Sequence, residues 1–176
     1  FYTLHAISSM VFESVSYKNV VSNGLVLDKN GQKMSKRLGN AIDPFQTISD
    51  FGPDATRWYM ISNSNPWDNL KFDLGGVDEV KRKFFGTLYN TYSFFALYAN
   101  IDGFKYDEKE IEFDQRPELD RWILSELNSL IINVDEYYND YEPTKAARAI
   151  NTFVIDNLSN WYVSCLLYTS DAADEQ

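Results

Sequence analysis

The feature that most constrains this chain is the 3.6-residue apolar period running through its second half. Val77, Val80, Phe84, Leu88, Tyr92, Phe95 and Ala99 fall on one face of a single long helix. A polar, acidic connector from Asp102 to Arg116 follows. Behind Pro117 the pattern returns in Leu119, Trp122, Ile123, Leu127, Leu130, Ile131 and Val134. Pro143 opens a third run, with Ala146, Ala147, Ile150, Phe153, Val154, Leu158 and Trp161 inward. Proline suits both starts because its missing N–H has no helical partner there anyway. Each stripe must be covered by another, so this half reads as an all-α bundle of antiparallel helices, with Trp122 and Trp161 in its core.

The first seventy or so residues follow another rule, mixing the two periods. Tyr2, Leu4, Ile7, Met10 and Val11 have helical spacing over residues 2–13. Val20-Val21 and Leu25-Val26-Leu27 read as strand segments around an Asn23-Gly24 turn. A polar loop runs from Asp28 to Asn40. Asp43 then caps a helix with Pro44 at its first position and Gln46 placed to complete a capping box. That helix stops at Gly52-Pro53, and Asp54 opens another carrying Trp58, Tyr59 and Ile61. Ser62 to Pro66 breaks the chain, and a domain boundary is expected between there and Gly75-Gly76.

Composition removes several function classes. With 44% hydrophobic residues, 8 Gly and 5 Pro in 176 residues, the chain is neither disordered nor fibrous. No run approaches the roughly 18 apolar residues of a membrane helix. The opening Phe1-Tyr2-Thr3-Leu4-His5 has no initiator Met, basic region or cleavage site, so it is no signal peptide and reads as cut from something longer. One Cys and one His exclude an internal disulfide and leave no His/Cys metal cluster. A Ser-His-Asp triad would have to form around His5, whose plainer role is a half-buried helix position.

Charge is uneven. Residues 1–72 hold seven Lys/Arg against six Asp/Glu, and residues 73–176 hold nine against twenty. That acidic balance argues against bulk polyanion binding and leaves room for a local basic site. The densest one spans Lys29, Lys33, Lys36 and Arg37, with no acid from residue 29 to 37. Between Gly31 and Gly39 it combines a mobile backbone with two lysines three residues apart. Such cations can meet charge that grows on a polyphosphate as a bond breaks, which raises rate rather than mere affinity. It is not a P-loop, because G-x-x-x-x-G-K-[ST] is absent. A solvated basic loop is the plainer alternative.

Lys33-Met34-Ser35-Lys36-Arg37 resembles the KMSKS signature of class I aminoacyl-tRNA synthetases in an Arg-ended variant, and Leu38-Gly39-Asn40 continues it. Residues 1–5, 22–27, 43–44, 52–59, 66–72, 83–92 and 119–124 resemble the isoleucyl-tRNA synthetases of that class, so the likeness spans about residues 1–163. The resemblance implies an α/β fold for residues 1–73, the C-terminal part of a Rossmann-like catalytic domain. Residues 74–164 would begin a helical anticodon-binding domain. It implies two steps: ATP and isoleucine give an aminoacyl-adenylate and pyrophosphate, then the adenylate acylates the 3′ end of tRNA(Ile). Lys36 first and Lys33 second would stabilise the departing pyrophosphate. Met34 and Ser35 would shape the ATP-binding loop, and Gly31 and Gly39 would let it move. Arg37 stands where Ser is more common. Mg²⁺ would travel with ATP, and no metal ligand set is expected in this segment. The implied parent is cytoplasmic, monomeric and not membrane-bound.

The family's HIGH element is absent from this sequence, and the resemblance places the amino-acid pocket and editing domain upstream. The segment alone is therefore expected to be inactive. Arg116, Arg121, Lys145 and Arg148 are candidate tRNA contacts, and Trp122, Tyr137, Tyr138 and Trp161 could stack on bases. For the four cations, solvated or helix-pairing charges are the plainer reading. A valyl-tRNA synthetase segment, a non-catalytic RNA-binding helical module and a plain structural helical domain are the alternatives. The likeness stops after Val163. Residues 165–176 resemble the in-frame translation of a sequencing adapter, with a divergent natural terminus as the alternative, and no stable tertiary role is expected for them beyond a helix fraying into them.

Overall fold

The computed structural model describes residues 1–107 and 109–167. Helix α1 (Tyr2–Phe12) stands at the start with no buried residue, so its apolar stripe lies open. The turn after it holds it in place: Ser16 Oγ donates to Leu4 O at 2.9 Å, and the Tyr17 ring lies 5.9 Å from those of Phe1 and His5.

Strand β1 (Val26–Leu27) pairs in parallel with β2 (Leu70–Lys71), Val26 opposite Leu70 and Leu27 opposite Lys71. Helices α2 (Pro44–Phe51) and α3 (Pro53–Asn63) form the crossover between them. The expected strand pairing around Asn23-Gly24 does not occur. Val20 and Val21 are exposed and unpaired, and Gly24 lies instead against the 66–68 turn, its N–H donating to Pro66 O at 2.8 Å. A Cβ there would sit 2.0 Å from Asp68 O, so close backbone contact is what requires glycine.

Asp43 caps α2 as expected, accepting from the Phe45 and Gln46 N–H groups at 2.8 and 3.4 Å. The capping box does not close, because Gln46 Nε2 turns forward to Asp50 Oδ1 at 2.8 Å. Ala55, Tyr59, Leu70, Phe72 and Val77 form the buried cluster, with Met34, Ile42, Phe51, Val80 and Phe85 packed on it. Val77, wholly buried, shares this cluster with α3, so packing runs unbroken past residues 62–76. Tyr59 is the pivot: its hydroxyl donates to Lys71 O at 2.9 Å and accepts from Asn63 Nδ2 and the Asp73 N–H. Burial pushes that phenol's pKa up.

Beyond Asp73, α4 (Leu74–Val80), a wider-wound stretch Lys81–Phe85 and α5 (Gly86–Ile101) make one continuous helical rod. Then come α6 (Glu118–Asn139), α7 (Pro143–Thr152) and a second wide-wound stretch, Phe153–Val163. Helix α7 packs on both α3 and α6, and the 153–163 stretch lies against α5 and α6. The helices fall where the period demanded, but the stripes are incompletely covered. Phe84, Ile123, Ala146, Ala147 and Val154 are buried, whereas Tyr92, Phe95 and Ile131 are exposed. Trp161, expected in the core, is 61% exposed, because its side of the last helix faces an open groove shared with Trp122 and Cys165. Residues 164–167 continue that helix, with Cys165 lining this groove and Leu166 and Leu167 another. The rest of that tail lies outside the described residues.

Candidate functional site

The basic loop leaves β1 at Asp28, whose side chain is buried beneath it. Asp28 Oδ1 accepts the N–H groups of Asn30 at 2.9 Å and Gln32 at 2.8 Å, and its backbone exchanges bonds with Gln32 and Gly31. An aspartate followed by Asn30-Gly31 is a side-chain-closed turn, and Gly31 takes the positive φ of 81° that the turn requires. Lys33 then returns antiparallel beside Leu27. Met34 tucks into the buried cluster. Ser35 caps a single helical turn, Lys36–Leu38, by accepting the Arg37 N–H at 3.2 Å, and Gly39 at φ 68° ends it.

Asn40 closes the loop. Its Oδ1 accepts the Ser35 N–H at 2.8 Å, and its Nδ2 donates to Asp28 Oδ2 at 2.8 Å and to Lys33 O at 3.3 Å. The Gln32 N–H first, then the Asn40 amide, hold the Asp28 carboxyl below the usual carboxylate range, against the opposing push of burial. The outcome is a backbone locked at its base with exposed cations above it. Among the described residues, Lys29, Lys33, Lys36 and Arg37 form no ion pair. Elsewhere Arg82 pairs with Asp78, Lys83 with Glu79 and Lys145 with Glu142.

The other candidate contacts scatter. Arg148 is taken up by the fold, donating to Ser62 O and Asn63 O at 2.9 Å each. Lys145 reaches Glu142, and Arg121 has its Nε buried without a hydrogen-bond partner among the described residues. Tyr138 and Trp161 are exposed, while Trp122 and Tyr137 are half-buried. His5 sits half-buried on α1 beside Tyr17. Among the described residues no three His, Cys, Asp or Glu side chains gather as a metal site. The loop's donor set is cationic and fits phosphate oxygens, not Mg²⁺. No helix of the described residues is long and apolar enough to cross a membrane. Sequence reasoning missed Asp28 and Asn40 as the loop's framework. An acid and an amide bracketing the basic run, with Asn-Gly beside the acid, was the signal.

Residues 1–73 match the family model described as tRNA synthetases class I (I, L, M and V), and residues 120–175 match the anticodon-binding domain of tRNA ligase. The isoleucine--tRNA ligase of Bacteroides fragilis is 72% identical over 163 residues, 93% of this chain and 14% of that protein. The Porphyromonas gingivalis and Dehalococcoides mccartyi proteins of that name are 69% and 48% identical over the same share of this chain, covering 14% and 16% of their own lengths. The crystal structure of the ternary complex of Agrobacterium radiobacter K84 agnB2 LeuRS-tRNA-LeuAMS matches 87% of this chain and 20% of its own with a TM-score of 0.63. At 22% sequence identity it speaks for the fold alone. This chain, spanning 14% of the length of the first of these relatives, belongs to the isoleucine--tRNA ligase family of class I tRNA synthetases.

Proposed function

We propose that this segment supplies the pyrophosphate-stabilising loop of an enzyme that activates isoleucine with ATP and transfers it to tRNA(Ile) in cytoplasmic translation. Residues 1–73 are the C-terminal part of its Rossmann-like catalytic domain, and 74–164 begin its helical anticodon-binding domain. In the first step the isoleucine carboxylate attacks the α-phosphorus of ATP. The bond to the bridging oxygen breaks, and pyrophosphate leaves with the negative charge that builds on it. In the second step a hydroxyl at the tRNA 3′ end attacks the acyl carbon and AMP departs.

Lys36 and Lys33 meet the growing charge, with Arg37 as a further phosphate contact. Ser35 and Met34 set the loop's shape, Gly39 allows its tip to move, and Gly31 takes the positive φ of the turn at its base. Mg²⁺, arriving with ATP, neutralises phosphate charge and needs no ligand from this segment. The observation that carries the reading is that the loop's cations stand exposed above a locked backbone, without ion-pair partners among the described residues. Cations neutralised by protein carboxylates would have nothing to give a transition state. Relatives named for isoleucine at up to 72% identity favour isoleucine over valine.

The test is Lys36→Ala in the full-length enzyme. Isoleucine-dependent ATP–pyrophosphate exchange should fall by orders of magnitude, since such contacts contribute about 2.7–4 kcal/mol to the transition state. Stability should stay within about 0.5 kcal/mol. A loss under about threefold removes Lys36 from the mechanism.

A further inference from the structure

We propose that Asp28 and Asn40 are positioning residues for adenylate formation, their side chains fixing the base of the loop from which Lys33 and Lys36 reach the leaving diphosphate. The inference rests on the reading above. It comes from an asymmetry within the loop. Up to Ser35 the two side chains hold the backbone at several points: Asp28 holds the Asn30 and Gln32 N–H groups and the Asn40 amide, while Asn40 holds the Ser35 N–H and Lys33 O. Beyond Ser35 the tip Lys36–Leu38 is exposed and hangs on one short turn.

The two side chains are matched to each other. The Asp28 carboxylate only accepts, and Asn40 must both donate and accept. Asn40 Nδ2 spans Asp28 Oδ2 and Lys33 O, while its Oδ1 takes the Ser35 N–H. The carbonyl of one candidate lysine and the amide preceding the other are thus held by the same carboxamide. With the base fixed, only the tip has to order as the diphosphate departs. A loop loose throughout would have to order entirely, at a cost that appears in the barrier.

The pairing makes a sharp test. Asp28→Asn sets amide against amide, Asn40→Asp sets carboxylate against carboxylate, and the double exchange restores a donor facing an acceptor. The host is the full-length Bacteroides fragilis isoleucine--tRNA ligase carrying this segment in place of its own 163 matching residues. Each single exchange should lower kcat for ATP–pyrophosphate exchange about tenfold to a hundredfold. KM for ATP should change less than about threefold, and the double exchange, which remakes the bond between positions 28 and 40 but leaves Lys33 O without its donor, should recover part of the lost kcat. Asn40→Ala, which introduces no like-charge pair, is the second variant should either exchange fail to fold. It should show the same kcat-specific loss.

Three results overturn the proposal: a double exchange no better than the worse single, a loss confined to KM, or full activity in Asn40→Ala. Lys36→Ala in the same host separates the two claims. If it is impaired while the Asp28 and Asn40 variants are not, positioning is wrong and the proposed function stands. If it is silent as well, that function falls.

Discussion

Two parts of the molecule each gather cations and polar side chains, and they use them in opposite ways. At the joint of α3 and α7, Arg148 donates to the Ser62 and Asn63 carbonyls and Thr144 Oγ1 donates to Ser64 O, each at 2.9 Å. These carbonyls end α3, where the helix itself offers no N–H, and the guanidinium also meets the negative end of the helix dipole. Trp58 Nε1 donates to Asn151 Oδ1 at 2.9 Å while its ring stacks on Phe84 at 4.7 Å. Thr144, Ala146 and Ala147 beneath are almost wholly buried. In the loop of residues 28–40 the neutral and acidic groups do the bracing, and among the described residues no carboxylate pairs with the cations. Positive charge alone therefore does not set the proposed phosphate-binding loop apart. What does is charge left over once the fold's own acceptors among the described residues are counted.

The comparison breaks most visibly in a crossed experiment. Arg148→Ala should lower the chain's stability by about 1.5–3 kcal/mol, the range for hydrogen bonds made by a charged donor, as read from urea denaturation. Activity per folded molecule in the full-length enzyme should hold. Lys36→Ala should do the reverse. Were Arg148→Ala to leave stability untouched while Lys36→Ala lowered it, the assignment of structural and chemical cations would be inverted.

A smaller effect sharpens the account of the joint. Trp58→Phe keeps an aromatic ring against Phe84 and removes only the donor to Asn151. The expected loss is about 0.5–1.5 kcal/mol, that of one neutral hydrogen bond, on the same denaturation curve. A loss as large as that of Arg148→Ala would put packing, not hydrogen bonding, at the centre of the joint.

Much of this was legible in the residues, and the failures share a cause. Pro117 and Pro143 with the apolar period located α6 and α7, because helix starts and stripes are local properties. The period could not say what covers a stripe, so Trp161 was read as core although the helix turns it toward an open groove. Strand β2 was invisible because two residues cannot display alternation. Gln46 was read by its distance from Asp43, but its side chain donates instead to Asp50, four residues on. In the loop the cations stood out by type and spacing. Asp28 and Asn40 did not, since their meeting is a through-space event across a closed turn.

The smallest predicted effect is also the one that tells the two regions apart without mutation. Asp28 is held below the usual carboxylate value of 3.8, chiefly by the Gln32 N–H and then by the Asn40 amide and the Asn30 N–H. A carboxyl whose folded pKa is depressed contributes stability in full above its unfolded pKa and loses it as pH falls through the folded one. The loop's bracing should therefore be constant from neutrality down to about pH 4 and weaken only below that. The Thr144, Trp58 and Asn151 side chains carry no titratable group, so the hydrogen bonds they make at the joint carry no such dependence. Amide exchange on this chain, corrected for the intrinsic effect of pH, should show the Asn30 and Gln32 protection falling in acid while amides at the α3 end and α7 hold. Asp28→Asn should abolish the acid step, because the carboxamide still accepts those two N–H groups but no longer titrates. An acid step that persists in that variant would trace the bracing to another group, and the contrast between a titratable loop and a non-titratable joint would go with it.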